Sequence, residues 1–187
     1  DTHQDRQALA QQRAQGRHAP HVAARLLDGV HVFERGQLAH LPLAILNPGD
    51  AALVPNPCYP PYRSGTILAG GEAVDVPLRE EHGFFPAWSD VPPAALKRAK
   101  LLFLNYPNNP TAATATDAQL AETIHFARQH RLVLASDLAY SEIAFDSVRP
   151  SSILQRPGSR DVAVEFHSCS KTFNMTGWRI GWACGNA

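Results

Sequence analysis

From Leu38 onward the chain alternates short apolar runs, separated by Pro, Gly and Asn, with helical stretches. Leu38–Leu46 predicts an apolar helix, stopped by the strong turn signal Asn47-Pro48-Gly49-Asp50. Ala51–Val54 reads as a short strand, Tyr62–Ala69 as a helix ending at Gly70-Gly71, and Ala73–Leu78 as another strand. A loop rich in Phe and Pro leads into Pro93–Lys100, which is weakly helical. Leu101–Leu104 is apolar at every position, and a run so short suits a strand of a parallel sheet, buried on both faces. Thr116–His130 is the clearest helix: Thr116 and Gln119 have capping-box spacing, and Leu120, Ile124 and Ala127 share one face. Leu132–Ala135 and Val162–Phe166 repeat the buried-strand pattern, and Arg179–Ala183 closes the series. Strand and helix alternating in this way predict an α/β domain of three α/β/α layers, with a mostly parallel sheet.

Residues 1–37 have another texture. They hold six of the nine glutamines, crowded with Arg, His and Ala. Propensity allows a helix through Asp5–Leu27, but only the Val22–Leu27 end is convincingly apolar. The change at Leu38 divides the chain into a divergent segment, 1–37, and a domain, 38–187, with no internal repeat.

Composition narrows the function classes. A chain of 187 residues suits one domain, and 17 basic against 17 acidic side chains leave no net charge. Phosphate neutralisation needs clustered Lys and Arg, so nucleic acid is a poor candidate partner. At 44% hydrophobic the chain is not of disordered composition, yet its apolar runs fall far short of the ~20 residues of a membrane helix. The N-terminal Asp-Thr-His-Gln-Asp-Arg carries no apolar region of a signal peptide. Cys58, Cys169 and Cys184 show no CxxC spacing and no metal grouping, which fits a reduced, cytoplasmic protein.

In open parallel sheets, ligands bind beyond the carboxyl ends of the strands. After Leu101–Leu104 comes Asn105-Tyr106-Pro107-Asn108-Asn109-Pro110-Thr111. After Leu132–Ala135 comes Ser136-Asp137-Leu138-Ala139-Tyr140, and after Val162–Phe166 comes His167-Ser168-Cys169-Ser170-Lys171-Thr172. One sheet edge thus receives an amide, a carboxylate with a phenol, then two hydroxyls and an amine, with Arg179 eight residues beyond the lysine.

In these segments, with Asn47–Asp50, Pro57-Cys58-Tyr59-Pro60 and Tyr62, and Thr176-Gly177-Trp178-Arg179-Ile180-Gly181, the chain resembles the fold-type I pyridoxal-phosphate enzymes. Within them it is most similar to the class I/II aminotransferases, over roughly residues 38–187. The resemblance implies pyridoxal 5'-phosphate as cofactor and an exchange of an amino group between an amino acid and a 2-oxo acid. Lys171 would hold the cofactor aldehyde as a Schiff base. Asp137 would face the pyridine nitrogen and keep the ring protonated. Tyr140 and Asn109 would hydrogen-bond the phenolic oxygen, and Tyr59 would stack on the ring. Ser168, Ser170 and Arg179 would hold the phosphate, the arginine through its permanently charged fork. The family also implies a homodimer. His167 departs from the family's usual residue and is read as structural, and Cys169 and Cys184 as buried small apolar residues.

Departures from the family pattern leave alternatives open. The family continues past the lysine into a small domain whose arginine grips the substrate carboxylate, and no position here takes that role. A Gly-Ser or Gly-Ala phosphate-binding turn should fall near Phe33-Glu34, where a carboxylate would repel the phosphate. That site is therefore damaged, or residues 1–37 are not homologous, as a shifted reading frame would produce; such a segment should pack poorly. Ala112 replaces the glycine usual after Asn-Pro-Thr. A truncated remnant that keeps the fold but not catalysis, or a lyase on the same fold, remains an alternative to a working aminotransferase.

Overall fold

The computed structural model describes residues 30–34 and 37–185. Seven strands, β1 (Val30–Glu34), β2 (Ala51–Asn56), β3 (Glu72–Pro77), β4 (Ala99–Asn105), β5 (Val133–Asp137), β6 (Ala163–Ser168) and β7 (Ile180–Gly185), form one sheet. Their order is β1-β7-β6-β5-β4-β2-β3. Strands β2 to β6 pair in parallel, and β7 is antiparallel to both of its neighbours, β6 and β1. The helices are α1 (Gln37–Ile45), α2 (Pro61–Leu68), α3 (Pro93–Leu96), α4 (Asp117–His130) and α5 (Cys169–Thr172).

Strand β4 shows why its apolar run is unbroken. Leu102 and Leu104 enter one core with Leu120, Ile124 and Ala127 of α4, while Leu101 and Phe103 enter a second with Leu46 and Tyr62. Successive strand side chains point to opposite faces, so a strand covered on both sides needs apolar residues at every position. The two cores on opposite faces of the sheet make the three α/β/α layers expected from the sequence.

Local signals behave as read. In α4 the backbone N–H of Gln119 donates to Thr116 Oγ1 at 3.3 Å, and the Thr116 N–H donates to Gln119 Oε1 at 2.8 Å. Helices α1 and α2 approach closely because Gly65 has no side chain; a Cβ there would lie 2.5 Å from the Ala39 carbonyl oxygen.

Several boundaries differ from expectation. Helix α3 stops at Leu96 because Ala99 already pairs with Ala51 in the sheet. Arg179 is not in the last strand; it has a left-handed φ of 57° and leads into β7. Strand β1 lies in the segment read as divergent, where polar composition masked it. Phe33 and Glu34, placed near a turn by counting, close that strand opposite Gly181 and Ile180. The helix expected over Asp5–Leu27 lies outside the described residues. Among the described residues, no helix is long and apolar enough to cross a membrane.

Candidate active site

Asp137 ends β5 opposite Asn105, the last residue of β4. Asn105 Nδ2 donates to the Asp137 carbonyl at 2.8 Å, and Asn105 Oδ1 accepts from the Asn109 N–H at 2.8 Å. One buried amide thus joins two strand ends and folds the loop that follows. That loop presents Asn109, whose Nδ2 donates to the Tyr140 hydroxyl at 3.3 Å. Farther along, Ala112 has a φ of 60°, the left-handed region that favours glycine. The sequence departure from the family's glycine therefore falls where a side chain costs most.

Asp137 is buried, only 7% exposed. Its Oδ2 accepts from the Tyr62 hydroxyl at 2.6 Å, and its Oδ1 accepts from the Ala139 N–H at 3.3 Å. Burial, reinforced by the adjacent carboxylate, raises the Tyr62 phenol well above its ordinary pKa, so it stays protonated as a donor. Tyr62 stacks on Phe103 with centroids 4.6 Å apart, and the Tyr59 ring meets it edge-on at 5.6 Å.

On the other flank, Ser168 ends β6 and caps α5, its Oγ accepting from the Ser170 N–H at 3.2 Å. Ser170 Oγ is buried with no hydrogen-bond partner among the described residues. Lys171, next in α5, is partly exposed and places Nζ 5.7 Å from the Tyr140 ring centroid, within cation–π range. Arg179 is exposed, and its Nη1 donates to the Thr176 carbonyl at 3.3 Å. Thr176 Oγ1 in turn donates to the Ser170 carbonyl at 3.3 Å. Arg179 therefore stands on the loop beside the serines, with its guanidinium turned to that loop's backbone.

These groups fit the cofactor that the sequence implied. Pyridoxal phosphate presents an aldehyde, a phenolic oxygen, a basic ring nitrogen and a phosphate. Against these stand a primary amine, the Asn109–Tyr140 pair, a buried carboxylate, and hydroxyls with a permanent cation nearby. A buried hydroxyl without a partner costs free energy unless a ligand satisfies it, and Ser170 Oγ is such a group.

His167, read as structural, is held on both sides. Its Nε2 lies 3.0 Å from Glu165 Oε1, and its ring stacks on Trp182 at 4.8 Å. Burial disfavours the charged imidazole, but Cys184 and Glu165 outweigh it and hold the His167 pKa up at about 9. Glu165 is 1% exposed and also accepts from Ser152 Oγ and the Ile153 N–H, both at 2.8 Å. Glu165, His167 and Cys184 donor atoms lie within 4.8 Å of one another, but these hydrogen bonds already occupy the carboxylate, and the imidazole is protonated. Cys169 and Cys184 are half-buried free thiols, not the buried residues expected.

Tyr62 and Glu165 carry no role in the sequence reading. Tyr62 lies in the first turn of α2, three residues after Tyr59, which precedes the helix. No local pattern shows that its phenol reaches a carboxylate 75 residues away.

Residues 36–187 match the family described as Aminotransferase class I and II. Over 150 residues the chain is 53% identical to the LL-diaminopimelate aminotransferase of Syntrophobacter fumaroxidans, covering 80% of this chain and 39% of that protein. The Aquifex aeolicus protein of the same name is 52% identical over 149 residues, covering 80% of this chain and 38% of its own. Among solved structures, apo-BacF from Bacillus subtilis superposes with a TM-score of 0.82 at 47% identity, over 84% of this chain and 40% of that one. A Thermus thermophilus aspartate aminotransferase variant gives 0.78 at 34% identity, over 84% and 43%. The chain spans about two fifths of the length of these relatives.

Proposed function

Because the chain belongs to the class I and II aminotransferases, we propose that it forms the cofactor-binding part of a pyridoxal-phosphate-dependent enzyme that moves an amino group between an amino acid and a 2-oxo acid. The observation that carries this reading is the meeting, at three parallel strand ends, of Asn109 with Tyr140, of buried Asp137, and of Lys171 beside the unpartnered Ser170 hydroxyl. When bound, the cofactor supplies an electron sink for the substrate's α-carbon electrons. Asp137 would face the ring nitrogen and keep it protonated. Asn109 and Tyr140 would hydrogen-bond the phenolic oxygen, Tyr59 would cover the ring, and Ser168, Ser170 and Arg179 would take the phosphate. Lys171 would anchor the cofactor and, as a free amine, would remove the α-proton of the substrate.

The LL-diaminopimelate aminotransferases that the chain resembles make a diaminopimelate-like amino acid the first donor to try. We take the partner to be a second copy of the chain. Phe145, 82% exposed, Trp178, 70% exposed, and exposed Phe173 are large apolar side chains that association would cover. Three free thiols support a reducing, cytoplasmic setting.

A second reading, a domain that binds cofactor without turning over, is favoured by Arg179, whose guanidinium engages the Thr176 carbonyl and not the serines. One experiment separates the two: mix the protein with pyridoxal phosphate, record its visible absorption, and add amino donors. The aminotransferase reading expects a bound-cofactor band that an amino donor bleaches and a 2-oxo acid restores. A band that no donor bleaches leaves only the second reading, and no band at all overturns both.

A further inference from the structure

We propose that Tyr62 is a positioning residue, whose phenol holds the Asp137 carboxylate ionised and aimed for a cofactor ring nitrogen. This rests on the cofactor reading above.

Three observations carry it. The hydroxyl lies 2.6 Å from Asp137 Oδ2, a short bond of the kind a phenol makes to a charged carboxylate. The phenol cannot swing away, because Tyr62 is wholly buried and its ring is stacked on Phe103, a β4 residue, at an interplanar angle of 11°. Its own proton is secure, since burial beside the carboxylate opposes ionisation. A hydroxyl fixed so that it donates to the carboxylate stabilises the anion over the neutral acid. A carboxylate so little exposed would otherwise lose solvation that favours its charge. Because Tyr59 meets the same ring edge-on, the residue read as covering the cofactor and the residue read as pairing with its nitrogen both rest on Tyr62.

The test compares the unaltered protein with Tyr62→Phe, which keeps the stacked ring and deletes only the hydroxyl. In the cofactor-free protein, the carboxyl-carbon resonance of Asp137 should titrate at higher pH in the variant. Pyridoxal phosphate should bind about tenfold more weakly, the effect of losing one charge-assisted bond. Against an Asp137→Asn background the same Tyr62→Phe change should add almost nothing, because the bond it removes no longer has a charged acceptor. An unshifted Asp137 titration would overturn the proposal. So would an equal affinity loss in the Asp137→Asn background, which is the signature of plain packing. If Tyr62→Phe does not fold, 3-fluorotyrosine at position 62 keeps the shape and strengthens the donor, and the Asp137 titration must then move to lower pH. If the unaltered protein does not bind pyridoxal phosphate, the functional reading fails, and the carboxyl titration alone decides whether Tyr62 holds Asp137 charged.

Discussion

At the β4–β5 flank of the site, polar atoms already satisfy one another: Asn105 ties two strand ends, and Asp137 sits buried beneath the Tyr62 hydroxyl. At the β6–β7 flank, Ser170 Oγ is buried without a described partner, Lys171 is partly exposed, and Arg179 lies at the surface. The first flank is assembled by the chain's own hydrogen bonds, while the second holds donors that a ligand would complete. A carboxylate that must stay charged in a buried place needs support from the protein. Groups that must grip a phosphate gain by remaining available to it.

This contrast can be broken in several places. The largest stability effect is expected at Gly65→Ala, beneath the prebuilt flank. A new Cβ 2.5 Å from the Ala39 carbonyl oxygen forces α1 and α2 apart, which should cost about 1–3 kcal/mol in urea unfolding. A change below 0.5 kcal/mol, on the scale of a neutral surface substitution, would mean that α1 and α2 do not meet as described.

The His167–Glu165 pair within β6 gives a pH signature. Its folded-state pKa of about 9 stands above the ordinary 6.5, so its stabilisation is complete below about pH 6.5 and fades as pH rises through 9. The loss should be on the order of 2 kcal/mol, and His167→Gln should flatten it. An unchanged pH slope in that variant would place the titrating group elsewhere.

Ser170→Ala separates the flanks most cleanly. Removing a buried hydroxyl that lacks a partner should leave stability unchanged or slightly raised, while pyridoxal phosphate binding weakens about tenfold. Loss of stability with unchanged affinity would make Ser170 part of the framework. The smallest effect belongs to Ala112→Gly. Relieving a left-handed alanine at φ 60° should stabilise the protein by roughly 0.5–1 kcal/mol by thermal unfolding, and a destabilisation would contradict the conformation of that loop.

Much of this contrast can be read along the chain, and the parts that cannot share a cause. Strands β4 and β5 announce themselves because each feeds two cores, which leaves no polar residue inside the run. The α4 cap and the site residues Asp137, Tyr140 and Lys171 follow from local spacing and from their place after a strand. Strand β1 escapes because its pairing partner lies some 150 residues away, and Val30–Glu34 is too short and mixed to stand out from a polar segment. Tyr62 and Glu165 escape for a related reason, since a buried hydrogen bond between separate elements leaves no mark on the residues next to it. The orientation of Arg179 depends on a left-handed residue after Trp178, which carries no glycine to advertise it.

The central claim is that Lys171 anchors pyridoxal phosphate at this sheet edge. The protein should be mixed with the cofactor, reduced with borohydride, digested, and searched by mass spectrometry for the pyridoxyl adduct. The adduct is expected on the peptide carrying Ser170-Lys171-Thr172, and none after Lys171→Ala. An adduct that persists in Lys171→Ala, or that falls on another lysine, would contradict it.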